Sequence, residues 1–483
     1  MGKEKKNKEK TIVLRAEQQR AFDRLIEFIR NNKAKVFILK GYAGTGKTTK
    51  MKVLIEELHR RNLPYSLLAS TGRAAKILSN ATNKPARTIH GEIYKYQDLS
   101  EDLESVVRKR EQTGVDSTGQ ILIKFGLEQI NREDTDVWYY IVDESSMVSD
   151  VEDKMATQAL FGNGRLLQDL LNYDVVGKFI FVGDACQLPP IQQKVSPALS
   201  VAYFRDVFKI QAEEVELTEI IRQGVGNDLV LASQRLRKLY FNPPSVKWAK
   251  FPFRGYKNIH LINSQVDLLQ RYIDDVKKNG FNYTTLLCQS NRQCDAITKI
   301  LRPAFGITSP LLSVGDLLLV TQNNTISGLM NGDLVIVKSV EIKEERAGLT
   351  FLKVSVEELF TQKEYSQLMI ADILYASQTN LSQPQQKELF VDFFMRMKKK
   401  NIRQRHPLFK EMLLKDPYLN ALRAVFGYAL TCHKAQGGEW NCVYLDIPRS
   451  FPLMEKPYVF QWVYTAITRA KEELYTINDF WIE

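Results

Sequence analysis

The chain has 483 residues, 44% hydrophobic and 25% charged, an ordinary globular balance that excludes a disordered chain, a collagen or a simple coiled coil. That length suggests about three domains, and no run approaches the roughly 18 consecutive apolar residues of a membrane span. Lys and Arg total 67 against 56 Asp and Glu, and the net +11 favours a polyanionic partner, nucleic acid before membrane, with plain solubility as the alternative.

In chain order, residues 1–10 carry Glu among their lysines and lack the apolar run of a secretory signal, so they read as a solvated basic tail. Residues 16–31 predict an amphipathic helix with Phe22, Leu25, Ile26 and Ile29 on one stripe. Val36 to Leu39 is a short apolar run ending at a glycine loop, followed by a helix over 47–61 and a strand over 65–69. Further apolar runs, 138–142 and 179–182, end at Asp143-Glu144 and Gly183-Asp184. Strands that alternate with helices and end in polar residues predict an α/β chain with doubly wound parallel sheets, whose ligands sit at the strands' carboxyl ends. The pattern restarts at strand 284–288 and helix 291–301, and resumes at strand 442–445. Between them, the β-like runs 317–320, 334–337 and 351–354 predict a small inserted β-barrel, and 384–423 reads as helical and basic, with Lys398, Lys399, Lys400 and Arg403. Those helices either contact a polyanion or form a solvated face. The expected division is a first α/β domain over 11–91 and 137–225, interrupted by 92–136, and a second over 226–306 and 425–483, interrupted by 307–424. The five cysteines (Cys186, Cys288, Cys294, Cys432 and Cys442) form no C-x-x-C, so neither zinc nor a redox pair is expected, and the sparse count fits a reducing compartment.

Gly41-Tyr42-Ala43-Gly44-Thr45-Gly46-Lys47-Thr48 matches G-x-x-x-x-G-K-[ST] between a predicted strand and a predicted helix. Glycines such as Gly41, Gly44 and Gly46 let backbone N–H groups turn toward phosphate, aided by the helix N-terminus, with Thr45 and Thr49 in the same turn. Lys47 is placed to reach the β- and γ-phosphates and Thr48 to hold Mg²⁺. Asp143 and Glu144, after an apolar strand, read as a Walker B pair: Asp143 on Mg²⁺, Glu144 orienting the attacking water. The expected ligands are therefore ATP and Mg²⁺.

Around these lie Ser70-Thr71-Gly72-Arg73-Ala74-Ala75, Thr88-Ile89-His90-Gly91, Gly183-Asp184-Ala185-Cys186-Gln187-Leu188-Pro189-Pro190, Thr431 to Trp440 (TCHKAQGGEW), and Tyr464-Thr465-Ala466-Ile467-Thr468-Arg469-Ala470. In this order the segments resemble the motif series of superfamily 1 helicases over nearly the whole chain. The QLPP segment, the TGRAA segment and the Asn331-Gly332-Asp333 turn resemble the 5′→3′ RecD-like and Dda-like branch, without the glycine-rich signature of the PIF helicases.

The resemblance implies two RecA-like domains, an inserted SH3-like barrel at 307–424 and a strand-separating pin in 92–136. It assigns Gln18 to adenine, Gln187 to the γ-phosphate and attacking water, Arg222 and Arg469 to the γ-phosphate, and Gly437 and Glu439 to the nucleotide, Glu439 at the ribose. It assigns DNA contact to Thr71, Arg73, Thr88, His90, Asn291, Thr431, His433 and Lys434. Within Ile121 to Gly126, Phe125 is either a wedge stacking on the splitting base pair or a ring packed under the hairpin, with packing slightly favoured. The implied activity is an ATP-dependent 5′→3′ DNA helicase in replication, recombination or repair. Its implied setting is a bacterial or phage cytoplasm, where a monomer acts on single-stranded and forked or tailed duplex DNA beside single-strand-binding protein or other factors. The rival readings are a DNA-stimulated translocase that unwinds poorly and a non-motor subunit whose ATP site regulates assembly.

Overall fold

The computed structural model describes residues 15–31, 33–113, 121–130, 137–152, 159–219, 227–376 and 378–483. The basic tail 1–10, Arg222 and parts of the 92–136 insertion lie outside the described residues.

The first sheet has six strands in the order Ala86–Thr88, Tyr65–Ala69, Tyr139–Asp143, Lys178–Gly183, Val36–Gly41, Ala212–Leu217. All its pairings are parallel. The strand ending at Gly183 therefore lies between the strand feeding the glycine loop and the strand ending at Asp143. Parallel strands covered on both faces need side chains that are apolar in both directions. Phe37 and Leu39 pack on one face against Leu25, Phe28, Met51 and Leu58, while Val36 and Ile38 pack on the other with Phe179, Phe181 and Leu170. In the helix Ala16–Arg30 the buried stripe is Ala21, Leu25, Phe28 and Ile29, rotated from the expected one because Phe22 and Ile26 are only half-buried at its edge.

The second sheet is also wholly parallel, in the order Ile259–Ile262, Ala470–Ile477, Trp440–Asp446, Thr284–Cys288, Leu430–Thr431. Its core holds Trp440, Trp462, Tyr444 and Tyr464 and extends to Tyr42, Cys186 and Leu188 of the first unit. The two units thus share apolar surface along the cleft between their sheets.

Residues 317–426 contribute a five-stranded antiparallel sheet in which the long strands Leu334–Arg346 and Leu349–Glu358 form the centre. An isolated parallel bridge joins Met369, on one edge strand, to Leu422, just before the other, so the sheet curls back on itself. The helices Gln383–Lys399 and Pro407–Lys415 follow, with Lys398, Lys399, Lys400 and Arg403 exposed.

The 92–136 insertion is more than a hairpin. Tyr94–Leu99 and Ile123–Leu127 pair antiparallel, the helix Leu103–Thr113 lies between them in sequence, and Ala159–Phe161 adds a parallel third strand. Leu99, Leu103, Val106, Ile121 and Ile123 enter one apolar core with Phe351, Phe390, Phe393 and Leu413 of the other insertion. The Gln404 side chain adds hydrogen bonds to Leu103 N (2.9 Å) and Asp98 Oδ1 (3.1 Å). The two insertions, far apart in sequence, are one packed body.

Leu103 is fully buried in that shared core, so Leu103→Ala should cost about 2–5 kcal/mol. Hydrogen–deuterium exchange should quicken in Gln383–Lys399 as well as in the helix carrying the substitution. Unchanged exchange in Gln383–Lys399 would mean that the insertions are stable independently.

Candidate functional site

The glycine loop leaves the strand Val36–Gly41 and enters the helix Lys47–Arg60 through two left-handed glycines, Gly44 (φ 79°) and Gly46 (φ 80°). A side chain at either would be strained there. Gly41 is required differently: a Cβ would lie 2.8 Å from Thr45 Oγ1 and 2.9 Å from Lys47 Cγ. Buried Thr45 closes the loop by donating from Oγ1 to Tyr42 O at 2.8 Å. Lys47 Nζ donates to Gly41 O at 2.6 Å and Tyr42 O at 3.2 Å, folded onto its own loop. Thr48 and Thr49 lie in the first helical turn, their side chains outside the described residues.

Across the sheet edge, Asp143 ends its strand, and Glu144 takes a left-handed conformation (φ 49°) uncommon for a non-glycine residue. Ser70 Oγ donates to Glu144 O at 3.0 Å, tying the second strand's end to this turn. Burial, then the neighbouring Glu144, push the Asp143 carboxyl up to about 7, with Lys47 opposing. Gln187 is buried, and its Oε1 has no hydrogen-bond partner among the described residues. Gln18 is buried too, and its Oε1 already accepts from Arg15 N at 3.0 Å, which leaves its NH₂ for any base edge. Glu17 ties this helix to the end of Ala212–Leu217 by accepting from Thr218 N (2.9 Å) and Glu219 N (2.7 Å).

The second unit faces these groups directly. Tyr464 OH donates to Asp184 Oδ2 at 2.7 Å and accepts from Ala43 N of the glycine loop at 3.2 Å. Leu188 N donates to Thr465 Oγ1 (2.9 Å), Gln436 Nε2 to Leu188 O (3.0 Å) and Gln461 Nε2 to Gln187 O (2.9 Å). Arg469 is buried beside this seam and donates from Nη1 to Gly438 O at 3.2 Å and from Nε to Thr465 O at 3.1 Å. Gly437 is left-handed (φ 76°) and Glu439 is exposed at the following turn. Two residues with no assigned role join the seam: Arg237 stacks over the Tyr42 ring at 3.9 Å, and the Tyr42 hydroxyl donates to Glu216. Tyr464 could have been suspected from its motif; Arg237 sits on an ordinary amphipathic helix and carries no sequence signal.

Three of the expected DNA contacts, with Ser290 next to the expected Asn291, form a series of caps. Thr71 Oγ1 accepts from Ala74 N (3.2 Å), Thr88 Oγ1 from Gly91 N (3.1 Å), Ser290 Oγ from Gln293 N (3.3 Å) and Thr431 Oγ1 from Lys434 N (3.4 Å). Each hydroxyl caps a turn or helix that starts at a strand end, where exposed N–H groups favour an anion. Asn291, Thr431 and Lys434 also line a cavity whose opposite wall is Ile373, Leu374 and Gln378 of the insertion. His433 and Lys434 are half-buried, and burial pushes both pKa values down.

Three expected contacts sit differently. Arg73 is buried, its guanidinium between the rings of Phe360 (4.6 Å) and Trp440 (4.5 Å), so here it is a packing residue between units and does not face an open groove. His90 packs edge-on against Phe161 at 5.0 Å. Phe125 is no exposed wedge: its ring stacks on Phe161 at 5.0 Å, because the strand register sets Phe125 between Tyr96 and Phe161 in mid-sheet.

A family model described as an AAA domain matches residues 13–239, and one described as a UvrD-like helicase C-terminal domain matches 426–477. An uncharacterised protein of Methanocaldococcus jannaschii is 25% identical over 515 residues, covering 98% of this chain and 39% of its own length. The ATP-dependent RecD2 DNA helicase of Deinococcus radiodurans is 23% identical over 446 residues, covering 92% of this chain and 47% of that protein. The chain spans less than half the length of both. Among solved structures, the Pif1 helicase from Bacteroides in complex with ADP-AlF3 and ssDNA is 18% identical with a TM-score of 0.48, over 96% of this chain and 92% of that one.

One turn beyond Lys47, the Lys50 ammonium is buried without a hydrogen-bond partner among the described residues. Burial lowers its pKa to about 8, against the pull of Glu17 and Glu219. A lysine depressed in the fold stabilises fully only above its unfolded pKa and loses that contribution as pH falls through about 8. Lys50→Met should therefore stabilise the protein at pH 7 by on the order of a few kcal/mol, an advantage shrinking toward pH 10. Urea denaturation at the two pH values checks the sign.

The two family models fall on the two parallel-sheet units that face each other across this cleft, and the ordered motif series running through both resembles that of the superfamily 1 helicases.

Proposed function

We propose that this chain is an ATP-dependent 5′→3′ DNA helicase that translocates on single-stranded DNA. The observation that carries the reading is the cleft itself. Lys47, Asp143, Glu144 and Gln187 from one parallel sheet lie across a hydrogen-bonded seam from Arg469 of the other. A triphosphate suits this site: Lys47 now bonds loop carbonyls that phosphate oxygens can replace, and Gln187 Oε1 is a buried acceptor with no donor among the described residues, suited to orienting a water. Glu144 is the candidate to position and deprotonate that water, and Arg469, with Arg222, to stabilise the charge spreading over the γ-phosphate. Asp143 and, from its motif, Thr48 would hold Mg²⁺, which supplies positive charge to the phosphates when bound.

Because the seam joins the two units through hydrogen bonds next to the nucleotide groups, its opening and closing would follow nucleotide turnover. Strand-end polar side chains on both units, the hydroxyls of Thr71 and Thr88 on one, the Asn291 amide and the Thr431 hydroxyl on the other, would alternately grip DNA phosphates without reading sequence. All these residues come from one chain, which supports action as a monomer on single-stranded and forked or tailed duplex DNA. Single-strand-binding protein or other replication and repair factors fit as partners. The cysteines are free and buried, which supports a reducing, cytoplasmic setting, and a bacterial or phage context belongs to the same proposal. Among the described residues no helix is long and apolar enough to cross a membrane. The packing of Phe125 keeps a second reading in view, a translocase that unwinds poorly.

The test is unwinding, with ATP and Mg²⁺, of matched partial duplexes bearing a 5′ or a 3′ single-stranded tail. Opening of the 5′-tailed duplex alone is expected. Opening of the 3′-tailed one alone would reverse the polarity, and DNA-stimulated ATP hydrolysis without unwinding would favour the translocase. Lys47→Ala should abolish ATP turnover and unwinding while single-strand binding persists; undiminished turnover would overturn the site assignment.

A further inference from the structure

Arg73 begins the helix that follows the second strand of the first sheet, and three parts of the molecule converge on it. Its guanidinium lies 4.5 Å from the ring of Trp440, in the second parallel-sheet unit, and 4.6 Å from that of Phe360, in the insertion. It packs flat against Gly438: a Cβ at that glycine would lie 2.5 Å from Arg73 Cζ and 2.6 Å from Nη1. The same Gly438 offers its carbonyl to Arg469 Nη1 at 3.2 Å. Around this contact Lys76 pairs with Asp333 of the insertion, and Met330 packs where a Cβ of Gly72 would stand. Asp333 and Glu358 lie near enough to attract the guanidinium and Arg469 to repel it. Arg73 Nη1, although buried, has no hydrogen-bond partner among the described residues. Two aromatic faces and a glycine therefore hold this cation in place of a carboxylate contact.

We propose that Arg73 is a positioning residue that couples the DNA-side segment Thr71 to Ala75 to the ATP cleft, by bracing Gly438 and through it the guanidinium of Arg469. The inference rests on the proposed helicase reading, since it gives Arg469 work at the γ-phosphate. Both arginines grip one glycine from opposite units, so displacing Arg73 frees Gly438 to shift and lets Arg469 move off its bond to Thr465 O. A displacement of the helix at Gly72 by DNA is transmitted along the same path. A flat guanidinium is needed, because a lysine ammonium cannot lie between two rings and against an α-carbon at once.

The experiment measures ATPase kcat and KM with and without oligo-dT for the wild type, Arg73→Ala, Arg73→Lys, Gly438→Ala and the Arg73→Ala/Gly438→Ala double variant. Arg73→Ala should lower DNA-stimulated kcat by about tenfold while KM for ATP and oligo-dT affinity each move by less than about twofold. Arg73→Lys should not restore the rate. Gly438→Ala should reproduce the defect because its methyl evicts the guanidinium, and the double variant should be no worse than Arg73→Ala alone. A normal kcat in Arg73→Ala, full function in Arg73→Lys, or additive losses in the double variant would each overturn the coupling. A loss of oligo-dT affinity in Arg73→Ala with kcat preserved at saturation would instead make Arg73 a DNA contact. If Arg73→Ala does not fold, the wild type still decides: nucleotide and oligo-dT together should change tryptophan emission, and Trp440→Phe should abolish that change. Emission that stays constant would count against the coupling. A wild type with no DNA-stimulated ATPase would overturn the helicase reading itself, which separates that failure from failure of this inference.

Discussion

The structure depends on a short seam of hydrogen bonds where the loop after a central strand of one parallel sheet meets the helix Tyr458–Ile467 and the Gln436 turn of the other unit. Tyr464 reaches from a buried helix of the second unit to both Asp184 and the Ala43 amide of the first. Gln436, Gln461 and Thr465 then bind the Gln187–Leu188 backbone. Burying that many polar groups is costly unless each finds a partner, so the seam is stable in a well-matched closed geometry and weak once misaligned. The shared apolar surface, with Tyr42 and Leu188 entering the second unit's core, gives the closed state its adhesion; the hydrogen bonds give it register.

Placed around this seam, the charged groups make sense as a set. Asp143 and Asp184 are both pushed up by burial at the strand ends, and Lys47 opposes the shift in each. The cleft therefore concentrates carboxylates opposite one lysine and one buried arginine, a balance suited to receiving a highly charged phosphate and cation together. At the ends of neighbouring strands, Thr71, Thr88, Ser290 and Thr431 cap turns with their hydroxyls. The two insertions share an apolar core, which joins the two units at a second place besides the seam.

The legible part of this protein was its chemistry-bearing punctuation. Apolar runs of four or five residues ending in Gly41, Asp143 and Gly183 could be read as buried parallel strands, because a strand covered on both faces needs no alternation and ends where polar groups begin. The glycine loop was legible for a similar reason: Gly44 and Gly46 occupy left-handed backbone that other residues resist. The insertions were read less well. Residues 92–136 were expected, from the resemblance, to hold a pin with Ile121 to Gly126 as half of a hairpin, but the added strand Ala159–Phe161 and the helix Leu103–Thr113 carry no comparable signal. The rotated stripe of Ala16–Arg30 has the same origin: which face is buried depends on the sheet beneath it, and Ala21 and Phe28 meet that sheet squarely.

What the sequence by itself determined was the set of local backbone geometries and their order along the chain: strand, glycine turn, helix, acid pair, polar strand end. These follow from steric and hydrogen-bonding rules that act over a few residues. Only the tertiary structure decided which distant groups would touch. Phe125 stacks on Phe161, Arg73 lies between Phe360 and Trp440, and Arg237 covers Tyr42, each across a gap in sequence that no periodicity spans. An arginine that looks like a phosphate contact in its motif becomes an interdomain brace because two aromatic rings and a glycine without a side chain happen to converge on it. Such convergence is a property of how the sheets and insertions dock, and docking is set by the sum of many weak contacts rather than by any segment's own preference.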